Sequence, residues 1–175
     1  MKKFLIISNG NAMIYKEIFP LIKENKIWVG VNKNMVFINA DKELKNILSC
    51  WLTNLGNNMH TPIKLYKHYN ANEYPKYYNY DGINVNRTPD IPMDYYGVIG
   101  VPITFLYKYC PEQFEIIGLG IANLGLSVGV KPYKLEHKKY RKEVQKRGAV
   151  DGDLYLIDGD EIKCPYARLL IRLKK

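Results

Sequence analysis

At 175 residues the chain is long enough for one good core or two small ones, and 47% hydrophobic with 25% charged residues speaks against wholesale disorder. A net charge of +9 and a pI near 9.3 favour nucleic acid, anionic membrane or acidic partners, with a merely solvated basic surface as the alternative. Cys50, Cys110 and Cys164 are far apart and form no C-x-x-C pair, so neither a disulfide framework nor a zinc knuckle is signalled and a reduced, cytoplasmic setting fits best.

Phe4 to Ile7 form an unbroken apolar run, the pattern of a strand buried on both faces of a parallel sheet. Ser8-Asn9-Gly10-Asn11 supplies a turn. Ile14, Ile18, Leu21 and Ile22 recur at helical spacing, with Pro20 predicting a kink or a short second helix starting there. Asn25-Lys26 is the expected helix stop before a strand Ile27 to Val31. The whole reads as a βαβ unit belonging to a larger sheet. Because its first strand is apolar on both faces, another copy, a rearranged segment or a missing partner chain is expected to cover its vacant edge.

Val36 to Ile38 predict a short strand or hairpin arm, Asp41 to Leu48 a helical turn or two, and Ser49 to Leu55 a third strand able to return antiparallel to Ile27–Val31. A soft boundary is expected near Gly56 to His60. From Met59 to Tyr96, eight tyrosines mix with basic residues, asparagines and prolines. Aromatic and basic residues interleaved on loops can stack on bases and pair with phosphates; the alternative is that these tyrosines are core filling for a segment poor in aliphatics.

Val98–Val101 and Phe114–Ile117 predict strands with a short helix Ile103–Tyr109 between them. Gly118, Gly120 and Gly125 superficially suggest a cofactor loop, but the spacing is not G-x-G-x-x-G, and packing constraints are the better explanation. Lys131 to Arg147 holds Lys131, Lys134, Lys138, Lys139, Arg141, Lys142, Lys146 and Arg147 against Glu136 and Glu143, a net +6 of the chain's +9. Such density suits an element that tracks phosphates, with a solvated face as the alternative. Asp153–Ile157 and Ala167–Leu173 flank an Asp158-Gly159-Asp160 turn and predict a terminal hairpin. The longest uncharged run, Ile116 to Val130, is interrupted by four glycines and falls short of the ~20 residues of a membrane span. His60, His68 and His137 lack metal-ligand spacing.

Several long stretches in series carry a resemblance: KKFLIISNGNAMIYKEIFPLIKENKIWVG, CWLTNL, EYPKYYNYDGINV, DIPMDYYGVIGVPITFLYKYCPEQFEIIG and YARLLIR. Together they resemble the C-terminal portion of the EcoRI-type adenine-specific DNA methyltransferases. The resemblance implies an α/β fold: part of a methyltransferase-like (Rossmann-like) sheet over residues 1–58, then a mixed α+β, tyrosine-rich, basic DNA-recognition region over 59–175. The opening unit takes the place of the strand, helix and strand after the catalytic loop, and CWLTNL that of the last, antiparallel strand. Asn9, Asn11 and Trp51 would then lie on the target-nucleotide side, or serve as ordinary turn and packing residues.

Methyl transfer to adenine N6 in this class requires an Asn/Asp-Pro-Pro-aromatic loop that grips a base flipped from the duplex. This sequence contains no Pro-Pro pair. The implied function is therefore the DNA-recognition part of a restriction-modification adenine methyltransferase, inactive alone. The complete enzyme would use S-adenosylmethionine, with no cofactor expected for this chain by itself. The implied partners are double-stranded DNA and a missing N-terminal catalytic half or a self-association partner, with no membrane. A stand-alone DNA-binding module without enzymatic activity is the competing reading.

Overall fold

The computed structural model describes residues 2–30, 35–56 and 61–175. The chain divides into two compact units, Met1–Thr61 with Leu106–Pro111, and Pro62–Phe105 with Glu112–Lys175. The boundary expected near Gly56–His60 falls, beyond Gly56, outside the described residues, as do Val31 and His60.

In the first unit, β1 (Leu5–Asn9) leads through a 3-10 turn, Ala12–Ile14, to a short helix α1 (Phe19–Lys23), then to β2 (Trp28–Gly30). Pro20 sits in the first turn of α1, where its missing N–H has no helix carbonyl to serve. The helix thus starts at the proline, as the sequence predicts. Its stop is equally legible: Asn25 adopts a left-handed φ of 54°. The Lys26 amide donates to Leu21 O at 2.9 Å and the Asn25 amide to Ile22 O at 3.0 Å, the paired bonds of a Schellman cap.

A hairpin follows, β3 (Met35–Ile38) and β4 (Leu44–Ile47), then β5 (Ser49–Thr53). The strand at β4 corrects the expected helical turns over Asp41–Leu48. Asn39 decides the matter locally, since its Oδ1 accepts the Glu43 amide at 2.8 Å and closes the hairpin loop instead of starting a helix.

The sheet order is β1-β5-β2, with β5 antiparallel to both neighbours, as expected for the returning strand. β1 and β2 are therefore parallel to each other but separated by β5, so the predicted crossover does not join adjacent strands. A second correction concerns β1 itself. Leu5, Ile6 and Ile7 are 47%, 52% and 48% exposed, not buried on both faces. Among the described residues β1 pairs only with β5, and its unpaired, half-exposed edge counts against the expectation that it is covered. Cys50, Leu52, Val29, Ile27, Ile22 and Phe19 form the buried side of this unit.

The second unit contains β6 (Gly82–Asn84), β7 (Val98–Pro102), β8 (Phe114–Gly120), helices α2 (Ala122–Ser127) and α3 (Leu135–Glu143), the hairpin β9 (Leu156–Asp158) and β10 (Glu161–Lys163), and β11 (Arg168–Leu173). Residues Ile103–Lys108 form the expected short helix, of 3-10 type. The terminal hairpin is corrected. The Asp-Gly turn closes β9 on β10, and β11 instead enters the middle of a four-stranded sheet of order β6-β7-β11-β8. Its sequence explains why, because Leu169, Leu170 and Ile171 are apolar on both faces and all fully buried.

Among the tyrosines, Tyr74, Tyr77, Tyr133 and Tyr155 are buried core residues, whereas Tyr66 and Tyr166 are exposed. Tyr133 and Tyr155 stack with ring centroids 4.1 Å apart. Much of the aromatic content thus fills a core.

Candidate nucleic-acid interface

Helix α3 carries the densest basic sequence, and its local signals agree with its charge. Glu136 lies in the first turn and Arg141 and Lys142 in the last, complementing the helix dipole at both ends. With almost no apolar stripe, the helix is fastened by polar anchors. Lys138 Nζ lies 2.6 Å from Asp151 Oδ2, and the Tyr133 amide donates to Asp151 Oδ1 at 2.9 Å. The Lys138 ammonium, and after it the Tyr133 amide, hold the Asp151 carboxyl below its usual range. His137 Nδ1 and the Tyr155 hydroxyl are 2.9 Å apart.

Arg141 is buried. Its Nε donates to Gly148 O at 3.1 Å, and its Nη1 to Gln145 Oε1 at 3.3 Å and Ile162 O at 3.5 Å. The side chain ties α3 to the loop after it and to β10.

The eight basic residues singled out from the sequence therefore separate into three groups. Lys138 and Arg141 are engaged in holding the helix. Lys134 lies over the Tyr78 ring, 4.9 Å from its centroid, and 3.9 Å from Glu136. Lys131, Lys139, Lys142, Lys146 and Arg147 are exposed. Lys139 and Lys142 lie three residues apart on α3, the spacing of one helical face, while Lys146 lies beyond the helix with a left-handed φ of 53°. Spacing could have exposed this division in the sequence; the buried contacts of Arg141 could not.

In the first unit, Asn9 ends β1 and its Oδ1 accepts the Asn11 amide at 2.8 Å, an Asx-type turn. Trp51 lies on β5, opposite Ile7 of β1 and Gly30 of β2. Its indole N–H is buried without an acceptor among the described residues.

The glycines at 118, 120 and 125 make no cofactor cradle. A Cβ on Gly118 would stand 2.6 Å from Val128 Cγ1, and one on Gly120 or Gly125 would overlap Leu154 or the Gly152 carbonyl. The first amide of α2, that of Ala122, already donates to Asp153 Oδ1 at 2.9 Å. These residues do not fit S-adenosylmethionine. Among the described residues no group of three or more His, Cys, Asp or Glu is placed to hold a metal, and no helix is long and apolar enough to cross a membrane.

A polar cluster that sequence reasoning did not single out lies in the second unit. Arg168, 9% exposed, donates from Nε to Asn84 Oδ1 at 3.0 Å and from Nη2 to Asn86 Oδ1 at 2.7 Å. The Tyr77 hydroxyl also donates to Asn84 Oδ1, at 2.8 Å, and burial pushes its pKa well up. Asn84 and Arg168 lie within the stretches that carry the family resemblance, which was the available signal, and Asn86 follows directly after one of them.

An antiparallel strand between two parallel ones, followed by a basic α+β unit, is the architecture of an α/β methyltransferase-like chain. The comparisons make this specific. The chain belongs to the EcoRI-type adenine-specific methyltransferase family, whose model, described as "Adenine-specific methyltransferase EcoRI", matches residues 1–174. It is 42% identical over 196 aligned residues to the type II methyltransferase M.EcoRI of Escherichia coli, covering 99% of this chain and 51% of that protein. It is also 39% identical over 140 residues to the type II methyltransferase M.MgeORF184P of Mycoplasma genitalium, and 35% over 139 residues to M.MpnI of Mycoplasma pneumoniae. Each covers 66% of this chain and 44% of the relative. The chain thus spans about half the length of the curated relatives it matches. No solved structure matches it.

Proposed function

We propose that this chain is the C-terminal, DNA-recognition part of a site-specific DNA adenine-N6 methyltransferase of a restriction-modification system, working in the cytoplasm and unable to transfer methyl groups alone. Residues 1–58 supply the end of the methyltransferase sheet, and 59–175 the recognition region. The observation that supports the reading is β5 returning antiparallel beside β1, whose other edge is unpaired among the described residues. A separate N-terminal half is the fitting partner for that edge, and it would bring the catalytic loop and the S-adenosylmethionine site.

Double-stranded DNA is the substrate surface. Lys131, Lys139, Lys142, Lys146 and Arg147 lie along its phosphates, with Lys134 and Lys138 nearby and Arg141 holding the helix in place. Asn9, Asn11 and Trp51 face the target nucleotide. The free cations of α3 also favour the second reading, a stand-alone DNA-binding module.

The test mixes the chain with labelled duplex DNA and S-adenosylmethionine, with and without a separately produced N-terminal half of a relative. Binding at low salt, no methyladenine from the chain alone, and methyladenine on adding the half are expected. Methylation by the chain alone, or no DNA binding at low salt, would overturn the proposal. Binding without complementation would leave the free-standing module as the function.

A further inference from the structure

We infer that the concavity at the Asn84–Asn86–Arg168 cluster is a phosphate-binding site, and that the phosphate it takes belongs to a nucleic-acid backbone. The cavity, of about 400 Å³, is lined by Asn84, Asn86, Gln145, Arg147, Lys163 and Arg168 together with Glu161. Arg168 is the centre of the argument. The residue is nine-tenths buried, yet its guanidinium's acceptors are the neutral side-chain oxygens of Asn84 and Asn86. No carboxylate lies within ion-pair distance of it among the described residues. A buried cation is costly unless a charge of opposite sign answers it, and the two amides orient the fork without neutralising it.

Two amides and one buried guanidinium therefore form a preorganised cationic fork, and its remaining N–H groups suit the planar, two-oxygen face of a phosphate. The cavity's other charges point the same way. Arg147 and Lys163 stand against the single carboxylate Glu161, and Lys163 is already bound to Asp158. Arg147 is also the last cation of the basic segment that runs through α3. Gln145 reaches the same wall by donating to Ile162 O at 3.0 Å. The basic segment that includes α3 thus reaches the cavity through Arg147. The inference rests on the reading of this region as a DNA surface for the source of its phosphate; the phosphate chemistry of the cavity stands on the cluster alone.

Asn86→Asp is the informative variant. It is isosteric, keeps both hydrogen bonds accepted by Oδ1, and places the missing negative charge beside Arg168. DNA affinity of the chain and of this variant is measured against salt, and the Arg168 Nε–Hε resonance is followed by NMR during addition of a short duplex and, separately, of inorganic phosphate at constant ionic strength. The expected result is a resonance that moves with duplex, and a salt slope lowered by about 0.9 in Asn86→Asp, the loss of one phosphate contact. Movement with inorganic phosphate but not with duplex would overturn a nucleic-acid backbone as the source of the phosphate and leave the fork a site for free phosphate. An Arg168 resonance silent to both ligands overturns the site, and so does an unchanged salt slope in a variant whose parent binds DNA. If the α3 amides shift with duplex while Arg168 stays silent, the DNA surface survives and the fork alone fails.

Discussion

Lys138 and Asp151 meet at 2.6 Å, and this one contact fastens the most basic helix to the segment that follows it. Lys139, the next residue, points into solvent. Lys139→Gln and Lys142→Gln should each lower the salt slope of DNA binding by about 0.9 while leaving the urea midpoint unchanged. Lys138→Met should do the reverse, lowering the midpoint more than the slope. Fluorescence anisotropy at several salt concentrations and urea denaturation separate the two.

The same contact predicts a pH dependence. The Lys138 ammonium and the Tyr133 amide depress the Asp151 pKa in the folded chain. A depressed carboxylate contributes stability that is present above its unfolded pKa, about 3.9, and that is lost as pH falls through the lower folded value. Asp151→Asn should therefore be less stable than the parent at pH 7, with the gap closing in acid below pH ~3.9. A gap that widened on acidification would contradict the assignment.

Arg141→Met should cost stability far more than binding. The substitution removes charge-assisted bonds to Gly148 O and Ile162 O and leaves Ile162 O with only the bond from Gln145 Nε2. A loss of about 2–3 kcal/mol is expected from urea unfolding. The salt slope of the folded fraction should change less than it does in Lys142→Gln.

Gly125 and Gly152 touch backbone to backbone, and a Cβ on either enters the other segment's main chain. Gly125→Ala in helix α2 should cost at least the upper part of the ~1–3 kcal/mol typical of overpacking, because no flexible side-chain end can move aside. Gly148→Ala has open space around its Cβ. It should be neutral or gain up to about 1 kcal/mol through the unfolded chain. Thermal melts of the pair test the geometry.

How far local chemistry reached can be seen at particular residues. Pro20 and Asn25 bracketed α1 correctly because a missing N–H and a left-handed φ act within one helical turn. Asp41–Leu48 failed because Asn39 competes for the Glu43 amide, and helix spacing is blind to that bond. The Asp158-Gly159-Asp160 turn was legible, but its partner was not, since β10 answers it before β11 can. In the candidate interface the charge of 131–147 was plain in the sequence, whereas the inward turn of Arg141 depends on carbonyls at Gly148 and Ile162.

The sequence by itself determined the family, the β-α-β opening with a returning antiparallel strand, and the location of the basic segment. These rest on residue order, short-range periodicity and charge, which are properties of neighbours in the chain. Only the tertiary structure decided that β5 lies between β1 and β2, that Leu5, Ile6 and Ile7 stand half exposed, and that Arg168 is held by asparagines with no carboxylate in ion-pair reach among the described residues. The reason is physical. Strand neighbours and buried charge partners are chosen by contacts between residues tens of positions apart, such as the 84 positions separating Asn84 from Arg168, and no local pattern encodes them.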